Sequence, residues 1–172
     1  DNTYMCAMRD LYGAQLAMPS NDECAQAFAV YVRDIQTGKR PPNANIQIQN
    51  GRVTVTGAGG VMEINGIIAR MIFEKNKAGH AFYVEESYAI PWMYPYLEPH
   101  GLIMKLNPAP IAGLSDEVVV KDRRFWDWYE RRLLGDRKFL RDLTARKSFS
   151  KLRSSIGGLY AARGRPQDAE YA

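Results

Sequence analysis

HAFYVEESYAIPWMYPYLEPHGLIMKLN, residues 80–107, is the stretch on which the fold turns. Its first eight residues read as a strand, because aromatic and β-branched side chains suit a pleated, half-buried surface. Glu85 and Glu86 stand at the C-terminal end of that strand. LIMKLN supplies a second strand. Between them YAIPWMYPYLEPHG, residues 88–101, carries three prolines among its aromatics and reads as a constrained crossover. Pro91 and Pro95 allow at most a short helical turn, which sets Trp92 and Tyr96 on one side at i, i+4 spacing.

The pattern on either side builds layers around these strands. Upstream, IQIQNGRVTVTG alternates about Asn50-Gly51, the commonest two-residue hairpin turn, with Ile46, Ile48, Val53 and Val55 as its apolar face and Gln47, Gln49, Arg52 and Thr54 outward. VMEINGIIARMIFEKN follows as an apolar helix. GAGG, residues 57–60, precedes it; without a following Lys-Ser or a GxGxxG spacing it reads as a flexible turn, not a phosphate loop. Two helices open the chain. The first runs from a cap among Asp1, Asn2 and Thr3 to Gly13, and the second from Ser20, Asn21 or Asp22 to Gly38, with QLAM between them as a short strand. Alternating strands and helices predict an α/β or α+β layer over residues 1–114: a small sheet with a β-hairpin, flanked by helices.

From Ser115 the chain turns helical. Ser115 or Asp116 starts a helix whose stripe is Phe125, Trp128, Tyr129 and Leu133, with Trp126 beside it. Leu140, Leu143, Phe149, Leu152, Ile156 and Tyr160 continue the apolar spacing through the next segment. Residues 115–172 are therefore expected to be a helical extension. Within it, Ile156, Gly157, Tyr160, Gly164 and Ala169 keep the relative spacing of a tetratricopeptide repeat, with Arg153 at the place of the usual early aromatic. A helical hairpin with coincidental Gly and Ala spacing is the alternative. A lone repeat cannot bury its apolar face, so a longer parent chain is expected, as it is from a helix cap at the first residue.

Composition narrows the classes. The 172 residues, 46% hydrophobic and 24% charged, suit a globular chain, and the longest apolar stretch is broken by Glu63, Asn65 and Arg70, too soon to span a bilayer. Cys6 and Cys24 have neither CxxC nor histidine spacing, so no metal or cofactor is expected, and both are read as free, buried thiols. Net charge is −1 over residues 1–115 and +5 over 116–172. Arg137, Lys138, Arg141, Lys147, Lys151 and Arg153 make that basic segment a candidate surface for a protein partner or an anionic surface, against the plainer account of a solvated helix face. Nucleic acid is not favoured, since no helix-turn-helix or RNA-binding signature accompanies the charge.

The order of pieces resembles one family: DNTYM opening a helix, HAFYVEES, YPYLEPHGLIMKLNP, the aromatic helix FWDWYERRLL, then the repeat-like pair. It is similar to the extracytoplasmic C-terminal part of bacterial multi-spanning membrane proteins related to protein O-mannosyltransferases, a family of unknown function. The resemblance implies an α/β domain on the periplasmic face beside a parent membrane domain, with repeats that recruit protein partners. It also implies that the catalytic acid lies in the membrane half, so no residue here is catalytic.

A ligand-binding crevice is expected where Glu85, Glu86, Trp92, Tyr96 and His100 meet Asp1 and Asn2 at the carboxyl ends of strands. Carboxylates with aromatic faces suit a glycan or glycolipid headgroup, because rings cover the C–H side of a sugar while acids accept from its hydroxyls. Three functions follow: a non-catalytic module of a membrane glycosyltransferase-like protein, an independent interaction module with a basic helical surface, or a soluble carbohydrate-active enzyme using Glu85, Glu86 and His100. Simple ion pairing of the two glutamates is the plainer alternative.

Overall fold

The computed structural model describes residues 2–39, 46–50, 52–85 and 89–172. They form a mixed α and β fold with two small antiparallel sheets flanked by helices. Residues Asp1–His80 and Ala81–Ala172 make two compact units. The boundary sought at 114/115 therefore lies inside the second unit.

The first unit holds α1 (Asn2–Tyr12), α2 (Asn21–Gln36), the hairpin β1 (Ile46–Gln49) and β2 (Arg52–Val55), and α3 (Gly57–Asn76). Ser20 caps α2 through a capping box: its Oγ accepts from the Glu23 amide at 3.1 Å, and Glu23 Oε2 accepts from the Ser20 amide at 2.7 Å. The hairpin pairs Ile46 with Val55, in the expected register, and Asn50 takes a φ of +50° at the turn. Gln47, Gln49 and Thr54 are exposed, as the alternation requires.

Three expectations in this unit are corrected. QLAM is turn and coil, not strand. Its backbone needs no strand partner because the buried Asn76 side chain serves it, accepting from the Ala17 amide at 2.7 Å and donating to the Ala17 carbonyl at 3.0 Å. GAGG is not a loose turn but the first turn of α3, with Gly60 buried. The two cysteines are free but not buried: Cys6 is exposed and Cys24 half-buried.

The second unit holds β3 (Phe82–Val84), a 3-10 helix (Pro91–Tyr96), β4 (Leu97–His100), β5 (Ile103–Leu106), α4 (Asp116–Leu134), α5 (Arg137–Arg141), α6 (Leu143–Ala162) and α7 (Pro166–Tyr171). The strand order is β3-β5-β4, antiparallel throughout, with Val84 and Pro99 both opposite Met104. Strand alternation sends Val84, Leu97, Pro99, Met104 and Leu106 into the core, and leaves Tyr83, Glu98, Lys105 and His100 on the other face. The crossover is thus shorter than expected, since LEPH, the four residues before Gly101, are a strand of their own. β4 lies at the sheet edge, where a proline fits because its missing N–H can face away from the ladder.

On α4 the buried face is Val119, Asp122 and Trp126, not the stripe through Trp128. Trp126 is 1% exposed and Trp128 53%. The aromatics nonetheless cluster, with Trp126 and Tyr129 both meeting Phe149 of α6. Asp142 ends α5 and caps α6, accepting from the Ala145 amide at 3.0 Å, so Leu140 and Leu143 fall at a helix break and stay exposed.

The expected C-terminal helix pair is present, and its small residues have packing reasons. Gly164 turns the chain at φ +69°, and a Cβ on Gly157 would stand 3.3 Å from the Ala169 carbonyl oxygen. Arg153, at the place of the usual aromatic, lays its guanidinium over the Trp126 and Tyr171 rings at 4.8 and 5.2 Å. Arg163 then ties the hairpin to the sheet by donating to the carbonyls of Ile111, Tyr94 and Leu97 at 2.9, 2.6 and 2.9 Å. Asp168 lies between Arg123 and Arg165, at 2.5 and 2.6 Å.

All three tryptophans belong to the second unit, so their fluorescence reports its unfolding. Arg163→Met strips three carbonyls of their donor and is expected to lower that unit's stability by about 2 kcal/mol in denaturant titrations followed at tryptophan. Asn76→Ala is expected to speed amide exchange in α3 and leave the tryptophan transition in place.

Candidate binding site

A groove of about 580 Å³ opens between the β4–β5 hairpin and α4. Its sheet wall is Glu98 to Ile103, and its helix wall is Val118, Lys121, Asp122 and Phe125. The walls have simple local causes. A two-residue turn joins β4 to β5, and Gly101 holds it at φ +68°, where a side chain would be strained. A Cβ there would also meet the Phe125 ring at 3.2 Å, so only glycine lets the turn lie against α4. Ser115 starts α4 by accepting from the Val118 amide at 3.3 Å, and helical spacing then brings Val118, Lys121, Asp122 and Phe125 to the groove.

Asp122 is the floor. It is 4% exposed and holds two elements at once: Oδ1 accepts from the Gly101 amide at 3.3 Å, and Oδ2 accepts from the Tyr160 hydroxyl of α6 at 2.8 Å. Burial pushes its carboxyl above the usual range, and the hydrogen bonds from Tyr160 and Gly101, the Arg153 charge and the Trp126 indole pull only part of the way back. Burial together with the Asp122 charge pushes the Tyr160 phenol far above its ordinary value. Each Asp122 oxygen keeps lone-pair capacity beyond its one donor. Glu98 stands in the sheet wall, paired across strands with Lys105 at 3.1 Å. His100 packs its ring 5.1 Å from that of Tyr83. The Phe125 ring and the half-exposed Leu102 and Ile103 supply apolar surface. Such a site offers fixed acceptors, a cation and a hydrophobic wall.

The sequence-predicted residues fare unevenly. His100 lies in the groove. Trp92 and Tyr96 do share one side of the 3-10 helix, as their spacing implies, with ring centroids 6.2 Å apart, but they pack on each other and do not line the groove. Glu85 follows β3, is exposed, and is not a lining residue. Glu86 and Asp1 lie outside the described residues, and Asn2 opens α1 in the first unit. The all-antiparallel sheet also removes the argument from carboxyl ends of parallel strands. Among the basic residues, Arg137, Lys138, Arg141, Lys147 and Lys151 are exposed, whereas Arg153 is half-buried and donates to the Tyr171 carbonyl at 2.6 Å. Asp122 and Lys121 were missed by sequence reasoning. The available signal was an acid three and four residues from Val119 and Trp126, on the apolar face of the helix.

Among the described residues no group of three His, Cys, Asp or Glu is placed to hold a metal ion, and no helix is long and apolar enough to cross a membrane. Comparison of the chain with protein-family models, with curated proteins and with solved structures finds no match.

The raised carboxyl of Asp122 has a signed consequence. The folded chain keeps that proton to a higher pH than the unfolded chain does, so the contribution to stability is full below the unfolded carboxyl pKa and declines as pH rises through the folded one. Asp122→Asn removes the titration and can still accept from Gly101 while donating to the Tyr160 oxygen. The denaturation midpoint of the unsubstituted chain, relative to this variant, is expected to fall between acid and neutral pH; a difference independent of pH would contradict the burial.

Proposed function

We propose that this chain is a non-catalytic module of a membrane glycosyltransferase-like protein, of the protein O-mannosyltransferase-related kind its sequence resembles, and that it holds a glycan or glycolipid headgroup in the groove over Asp122. The observation that carries the reading is the convergence of a buried carboxylate, Glu98, Lys121 and His100 on an apolar wall containing Phe125. A sugar ring needs this combination, an apolar surface for its C–H face and oriented acceptors and donors for its hydroxyls. Lys121 suits a ligand that carries a phosphate, as a glycolipid headgroup does.

Binding is favoured over turnover. Asp122 already accepts from two protein donors, and Glu98 is ion-paired, so neither is a free general acid or base. A glycosidase needs two carboxyls at a set separation across the bound sugar. The enzymatic reading through Glu85, Glu86 and His100 gains nothing from the groove, whose lining includes His100 but not Glu85. A place on the extracytoplasmic face, beside a parent membrane domain and with protein partners at the helical hairpin, belongs to the same proposal and rests on the resemblance. No cofactor is required by it.

The test is calorimetric titration of the chain with a panel of oligosaccharides and sugar phosphates, mannosides among them. At least one is expected to bind, and Lys121→Ala or His100→Ala to weaken it by about tenfold, the effect of one lost hydrogen bond. The reading fails if none binds, if neither substitution matters, or if the chain turns the ligand over.

A further inference from the structure

The second unit carries a feature that sugar binding does not use. RRLLGDRKFLRDLTARK, residues 131–147, contains seven Arg or Lys and two Asp, and it is folded as the end of α4, the whole of α5 and the start of α6. Both acids are spent on backbone: Asp136 accepts from the Lys138 amide at 2.7 Å and Asp142 from the Ala145 amide at 3.0 Å. Arg137, Lys138, Arg141 and Lys147 are exposed, and none has a carboxylate within ion-pair distance among the described residues.

In the same seventeen residues the apolar side chains face water. Leu134, Leu140 and Leu143 are 56%, 45% and 59% exposed, and all three lie at the two breaks between helices. Six residues before Leu134, Trp128 is 53% exposed, with the Arg132 guanidinium 5.9 Å from its ring centroid. Single exposed leucines need no explanation, but three within ten residues, interleaved in the sequence with the exposed Arg137, Lys138 and Arg141, do.

We propose that this segment docks on the surface of an anionic lipid bilayer. Lysine and arginine heads reach the phosphate layer while their stems lie along apolar surface, and leucines at helix ends enter the acyl boundary. Tryptophan favours the same depth. The charge alone would fit a nucleic acid, but that ligand gives the leucines nothing to bury against. An acidic protein surface would satisfy the charges, and would not need leucines on both helix breaks. The combination of basic charge and exposed aliphatics supplies the two signals that lasting attachment to a bilayer requires.

The experiment is flotation of the full chain with vesicles of phosphatidylcholine, with and without phosphatidylglycerol, at low and high salt. The account expects at least about tenfold more binding to the anionic vesicles, weakened by salt. Leu140→Ser with Leu143→Ser keeps every charge, and Arg137→Gln with Lys138→Gln keeps every leucine; each pair is expected to reduce binding several-fold. Circular dichroism confirms that these exposed positions leave the fold intact. Equal binding to neutral vesicles, no binding to either, or indifference to the leucine pair overturns the proposal. So does equally tight binding of soluble polyglutamate that the leucine pair leaves unchanged, since that marks a surface for acidic protein.

Discussion

One buried carboxylate organises the second unit. Asp122 sits on α4, accepts from the turn that joins β4 to β5, and accepts from a hydroxyl on α6. A charge in that position is expensive unless it is hydrogen-bonded, so the position of each donor is constrained by the cost of leaving Asp122 alone. Truncating Tyr160 or displacing the turn leaves the carboxylate buried with half its partners. The elevated carboxyl and phenol values are two consequences of the same burial. Around this bond the remaining polar contacts repeat the logic at lower stakes. Burial works against the charge on Asp168, but Arg165 and Arg123 outweigh it and hold that carboxyl below the usual range, while Arg163 answers three carbonyls.

How much of this is legible in the sequence depends on the range of the interaction. Local signals read correctly: the Asn50 hairpin, the starts of α2 and α4, the Trp92–Tyr96 pairing and the C-terminal helix pair each follow from a few neighbouring residues. Apart from GAGG, whose glycines hid a helix start, the main errors are tertiary. QLAM has strand composition, but its partner is a side chain 59 positions away. β4 hides behind Pro99, which disqualifies a central strand and is harmless at an edge. The α4 face was misjudged because Trp128 looks like core and Asp122 does not, yet the helix buries the acid and exposes the ring. A buried acid cannot be recognised from its own segment, since what makes it tolerable is a tyrosine thirty-eight residues on.

The candidate site follows the same division. His100 was visible as a residue type at a turn, whereas its neighbours in the groove come from a helix that periodicity assigned to packing. The basic segment was legible as charge, but the exposure of Leu134, Leu140 and Leu143 was not, because the apolar period runs on through a break that Asp142 imposes. Those two surfaces divide the second unit's chemistry: a groove over the buried Asp122, and an exposed basic segment at the breaks between α4, α5 and α6.

Asp122 is a buried carboxylate shared between the hairpin turn and α6. Following its side-chain carbon by nuclear magnetic resonance as pH is varied tests this most directly. The structure predicts a midpoint above the ordinary carboxyl range, with the Gly101 amide shifting in step as its acceptor changes charge. A midpoint at or below that range, or a Gly101 amide indifferent to the titration, would contradict it.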